Sequence, residues 1–291
     1  MKIDFIVPGF SKCGTTTLCA LLAEHPEIGI PPSHKEIGFF SNYFDLGWSW
    51  YESQFNEVAG KRFIGEGSTN YSTEEHGNWV AGRIAYYLPD TRLIFIARNP
   101  ITRIESIFRE MHHSGSVFNF DPPFDIGEAL RTVPNMINDT LYWKCINAYR
   151  QFIPDSKILM LFLEDLERDP AGQIAKCFRF IGADPTVRIN DLDRRLNTKS
   201  SKFRDTNVLR WVKVNSLTRR CWHRLSKEQQ EWLARTFKLR IPFGEKIDWP
   251  AETRTWVLDQ IFEDSQKFLE FYGKSADFWG LKAFHDRATQ S

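Results

Sequence analysis

The sequence has no uninterrupted apolar run of about 18 residues, so no segment is long enough to cross a bilayer as a helix. It has no Cys-x-x-Cys pair. Five cysteines, Cys13, Cys19, Cys145, Cys177 and Cys221, are scattered along 291 residues. An odd, dispersed set argues against a disulfide framework and for reduced thiols. Net charge is nearly absent: 38 Lys and Arg stand against 37 Asp and Glu, a formal +1. No bulk basic field exists to gather nucleic acid, so an anion site must be assembled locally. Repeats, low-complexity tracts and linkers are missing as well. The first apolar run starts at Ile3 and leaves no stretch for a leader. These absences predict a cytoplasmic chain forming one domain over 1–291. A hydrophobic content of 42%, with 14% aromatics, supplies its core.

What is present centres on residues 2–22, KIDFIVPGFSKCGTTTLCALL. Ile3, Phe5, Ile6 and Val7 predict a buried strand, ended by Pro8 and Gly9. A compact loop follows, Gly9 to Thr17, and then Leu18, Leu21 and Leu22 at helical spacing. Strand, glycine-bounded loop and helix make an anion cradle, because loop and first-turn N–H groups converge where the helix dipole favours negative charge. A nucleoside-triphosphate loop reads G-x-x-x-x-G-K-[ST]. Here Gly9 and Gly14 are correctly separated, but Thr15 follows and the lysine, Lys12, lies inside the loop. Further on, Arg92 to Ala97 reads as a strand buried in a parallel sheet. It ends in Arg98-Asn99-Pro100, with Pro100 at the first helical position. A kinase of this type needs an acidic strand end for Mg²⁺; this strand ends in arginine. Interleaved strands and helices predict an α/β domain with a central, mostly parallel sheet flanked by helices.

The loop F-S-K-C-G-T-T-T-L resembles the 5′-phosphosulfate loop of sulfotransferases that use 3′-phosphoadenosine 5′-phosphosulfate (PAPS). It is most similar to the carbohydrate branch, which includes heparan sulfate sulfotransferases and bacterial relatives. The string R-N-P-x-x-R-x-x-S-x-F resembles the family's 3′-phosphate motif, Lys35-Glu36-x-x-Phe39-Phe40 its catalytic-base element, and G-E-x-S-x-x-Y at Gly65–Tyr71 a segment near the acceptor. The resemblance implies a sulfuryl transfer from PAPS to a hydroxyl of a glycan or small metabolite, leaving 3′-phosphoadenosine 5′-phosphate (PAP). It implies Lys12 and Glu36 as catalytic residues. It implies donor contacts from Ser11, Lys12, Cys13, Gly14, Thr15, Thr16, Thr17, Arg98 and Ser106, with Lys199 and Lys202 as candidates from the basic loop 194–204. His34, Glu66, His112 and His113 are the acceptor-side candidates, the last two in an irregular, lid-like segment 112–125. Glu66 and Ser68 are expected at the rim of the site. Gly67 stands where many heparan-type members carry a lysine, which counts against a highly anionic acceptor. No metal, nucleic acid or membrane span is expected. A P-loop-type nucleotide or metabolite kinase and a non-catalytic nucleotide-binding protein are the alternatives. Trp211, Trp222 and Trp232, at helical spacing, are expected in the core, and Phe278-Trp279-Gly280 is expected to close the fold.

Overall fold

A computed structural model describes residues 2–32, 36–114, 122–190, 203–243 and 246–286. Five strands form one parallel sheet: β1 (Phe5–Gly9), β2 (Ile28–Gly29), β3 (Phe63–Glu66), β4 (Arg92–Ala97) and β5 (Ile158–Phe162), in the order β2-β3-β1-β4-β5. A parallel sheet needs cover on both faces, which is why its strands are mostly apolar. All five residues of β1 are buried, and so are the last five of β4. The helices Thr15–Ala23 and Pro170–Ile181 pack together. A second group is formed by Gly77–Tyr87, Tyr142–Arg150 and Ala251–Phe271. After β1 the chain builds β2 and β3 on one side, then crosses to lay β4 and β5 on the other. The order therefore reverses between β1 and β4, and the crevice beyond their C-terminal ends is where such sheets bind ligands.

β1 runs through Pro8 to Gly9, two residues beyond the strand expected from sequence. Proline supplies no N–H to a ladder. The pairing of β1 with β4 shifts between Ile6 and Gly9, so Pro8 sits where the ladder is already interrupted. Gly65 of β3 is also obligatory: a Cβ there would lie 2.5 Å from the Phe5 ring.

The helix that opens at Pro100 continues to Ser114, so His112 and His113 belong to its last turn and not to a loop. A separate antiparallel pair, β6 (Phe203–Asp205) and β7 (Arg240–Pro242), rests against that helix. Between them run the helices Asn207–Val214, Ser216–Arg224 and Lys227–Thr236. Trp222 is buried there, but Trp211 is 59% and Trp232 62% exposed, contrary to expectation. Leu209 and Ala234 turn inward in their place. A further helix, Leu281–Asp286, follows Gly280. Among the described residues no helix is long and apolar enough to cross a membrane.

Candidate active site

The first half of the site is the loop after β1. Gly9 is there because a Cβ would fall 1.9 Å from Ser72 Oγ. The Phe10 N–H donates to Ile96 O at 2.9 Å and ties the loop to β4. Lys12 has φ +64°, a left-handed conformation that costs a non-glycine residue about 1–2 kcal/mol. Two arginines hold that shape. Arg98 Nη1 donates to Lys12 O at 3.2 Å, and Arg103 Nε donates to Ser11 O at 2.9 Å. Gly14, at φ +95°, is the N-cap of the Thr15–Ala23 helix and provides no side-chain cap. The first-turn N–H groups of that helix therefore meet no capping side chain from Gly14, as an anion cradle requires. Thr15 is buried; Thr16 and Thr17 are half-buried.

Cys13 is fully buried, with Sγ 3.3 Å from the Tyr142 hydroxyl, which itself donates to Arg98 O at 2.9 Å. Burial pushes the thiol up from its ordinary value, opposed by the nearby Arg103 charge. A neutral, enclosed thiol fills space and does not act as a nucleophile.

The second half begins at the end of β4. Asn99 builds the turn into the next helix: its Oδ1 accepts from Ile101 N at 3.0 Å and Thr102 N at 3.3 Å. Its own N–H donates to Glu164 Oε1 at 2.7 Å, and its Nδ2 to Trp279 O at 2.7 Å. Arg98 and Ser106 are both half-buried. Arg103 is buried at 1% exposure, also donating from Nη1 to Thr140 Oγ1 at 2.5 Å, so it serves the loop's structure. Lys12 Nζ reaches Glu110 Oε2, 3.0 Å away, on the face of the helix that also carries Ser106. Sequence motifs gave no sign of this pair, which joins two distant segments.

Glu36 is exposed and accepts a hydrogen bond from Thr69 Oγ1 at 3.3 Å. Glu66 and Ser68 are not at the rim; both are completely buried. Glu66 accepts from Tyr51 OH at 2.7 Å, from Tyr71 OH at 3.1 Å and from Ser68 Oγ. Burial raises its carboxyl to about 7, with Ser68, Tyr51 and Tyr71 opposing and the Glu36 charge adding to the rise. Enclosed by Tyr51, Ser68 and Tyr71, Glu66 is not an acceptor contact.

His112 is enclosed by rings. It stacks on Phe124 at 5.6 Å and meets Phe108 edge-on at 4.7 Å, with one ring nitrogen, Nε2, 3.1 Å from Pro123 O. That is a packing role. His113 is exposed and its Nδ1 accepts from Phe203 N at 3.4 Å. His34, Lys199 and Lys202 lie outside the described residues, as does half of the expected lid. Among the aromatic residues between 43 and 51, Tyr51 is core and stacks on Phe39 at 4.4 Å. Tyr43 and Trp48 are 48% and 36% exposed.

A loop of this shape after β1 and an arginine after β4, at the reversal point of a parallel sheet, define an anion-binding crevice of the P-loop kind. The family model described as "Sulfotransferase domain" matches residues 2–241, and the chain belongs to that family. The chain is 26% identical over 191 residues to the mouse heparan sulfate glucosamine 3-O-sulfotransferase 6, covering 62% of this chain and 53% of that protein. It is 36% identical over 115 residues to the Caenorhabditis briggsae bifunctional heparan sulfate N-deacetylase/N-sulfotransferase 1, covering 37% and 13%. The chain thus spans about half the length, or less, of these relatives. A solved sulfotransferase from Alicyclobacillus acidocaldarius superposes with TM-score 0.57 at 23% identity, over 68% of this chain and 87% of the other, and shares the fold.

Proposed function

We propose that this chain transfers a sulfuryl group from PAPS to a hydroxyl acceptor, a glycan or a small metabolite. The observation that supports it most is the arginine-clamped loop: Arg98 and Arg103 fix the carbonyls of Lys12 and Ser11 beside a helix start that Gly14 leaves without a side-chain cap. The loop amides with Lys12, Thr15, Thr16 and Thr17 would hold the 5′-phosphosulfate. Arg98 and Ser106 would take the 3′-phosphate, for which a guanidinium gives a permanently charged, two-pronged grip. Glu36, exposed and hydrogen-bonded to Thr69, would receive the acceptor's proton as its oxygen bonds to sulfur. The bond from sulfur to the 5′-phosphate oxygen breaks, and Lys12 offsets the charge growing on that phosphate. Positioning and electrostatics then carry the rate, as in phosphoryl transfer. Gly67 favours an acceptor of low charge over a densely sulfated chain.

The test is calorimetric titration with PAP, with AMP and with Mg-ATP, on the wild type and on Ser106→Ala. PAP binding much tighter than AMP binding, weakened by the variant, together with PAP release from PAPS, supports the reading. Equal affinity for PAP and AMP, or binding of Mg-ATP in preference, overturns it.

A further inference from the structure

The deepest carboxylate near the crevice, Glu66, makes no contact with solvent, and the proposed chemistry does not use it. Its partners form two parallel relays into one short segment. Gly38 N donates to Ser68 Oγ at 2.9 Å, and Ser68 donates in turn to Glu66 Oε2. Phe40 N donates to Tyr71 OH at 3.1 Å, and Tyr71 donates to Glu66 Oε1 at 3.1 Å. Tyr51 adds a third donor. The segment so held is the one that follows Glu36. It includes Gly38 at φ +66°, a bend that opens the turn Phe39–Tyr43.

We propose that Glu66 is a positioning residue, which through Ser68 and Tyr71 fixes the Gly38 and Phe40 amides and so aims Glu36 into the crevice; this rests on Glu36 as the proton acceptor. The chemistry of the carboxylate explains the choice of residue. Once ionised, above about pH 7, the carboxylate only accepts. It compels each hydroxyl to spend its one proton on Glu66, and each oxygen then presents lone pairs to a backbone N–H. Glutamine, or a protonated Glu66, offers a donor to one of those hydroxyls and leaves a buried O–H without its acceptor. The ionisable groups that face Glu66 are Tyr51, Tyr71 and Tyr149 from the packed elements, and Glu36. Tyr51 and Tyr71 favour its ionised form by donating to it and the Glu36 charge opposes that form, so the relay is organised by hydroxyl donors.

Residue-resolved amide hydrogen exchange above pH 7, where the Glu66 carboxyl is ionised, decides the matter, with the rate of PAP release from PAPS measured on the same proteins. Ser68→Ala should speed exchange at Gly38 about tenfold and leave Phe40 alone; Tyr71→Phe should do the reverse. Glu66→Gln should speed both, with β4 amides such as Ile94 unchanged, lower the rate of PAP release several-fold and leave PAP affinity as in the wild type. The two hydroxyl variants carry the test if Glu66→Gln fails to fold. Unchanged exchange at Gly38 and Phe40 overturns the proposal, and so does faster exchange with an unaltered rate. A wild type that neither binds PAP nor releases it from PAPS refutes the transferase reading itself, whatever the exchange pattern.

Discussion

Lys12 Nζ and Glu110 Oε2 stand 3.0 Å apart, each side chain about one-third exposed, across the mouth of the loop. The ammonium proposed to meet the donor's phosphosulfate is thus already engaged by a carboxylate. An anionic ligand must contend with Glu110 for the same charge. Glu110→Gln should therefore tighten PAP binding about two- to fivefold at low salt, the range of a partly exposed ion pair, with the gain fading as salt rises. Calorimetry at two ionic strengths checks this; weaker binding by the variant would refute it.

Removal of the lysine itself acts on the transition state. Lys12→Ala should cost about 2–4 kcal/mol in kcat/KM, as loss of a preorganised donor does. Full turnover in that variant would show that Lys12 has no part in the reaction.

Arg103 predicts a different signature. It is buried and donates to Ser11 O and Thr140 Oγ1. Arg103→Met keeps much of the volume but removes the charged donor from Ser11 O and from the buried Thr140 Oγ1. It should lower stability by about 3 kcal/mol in chemical denaturation, with PAP affinity falling as a consequence. An unchanged denaturation midpoint would contradict the clamp.

Glu66 links stability to pH. Its carboxyl is raised by burial from 4.5 to about 7, so the folded chain holds a proton there that the unfolded chain has released. The associated stability is fully present below about 4.5 and is lost as pH rises through about 7, on the order of 3 kcal/mol in all. Glutamine does not titrate. The stability of the wild type relative to Glu66→Gln should fall across that window, and a pH-independent difference would show that Glu66 titrates normally.

Local chemistry explains which parts were legible in advance. β4 is fully visible, because five consecutive apolar residues, Leu93 to Ala97, precede Arg98-Asn99-Pro100, and the helix does open at Pro100. Glu164 accepts from the Asn99 N–H, and Asp165 pairs with Lys274 and Arg168. Glu66 was misplaced because its charge suggested a rim. The hydroxyls that accommodate it arrive from a helix fifteen residues upstream and from the turn after β3. The histidines were assigned to a loop because Gly115 and the later prolines dominate that stretch, while the helix runs to the residue before the glycine. Glu110 and Lys12 meet only once β1 and β4 lie side by side, a relation that no local pattern encodes.

The carbonyl clamps have one more consequence. Arg98 is both a candidate ligand group and a support for the loop that bears Lys12, while Arg103 holds the neighbouring carbonyl. The two halves of the proposed donor site are therefore a single thermodynamic unit. Losses from substitutions at Arg98 and Lys12 should sum to less when combined than when taken singly. Neither half can be transplanted to another scaffold, or retuned for another anion, without the strand end that gives both their shape.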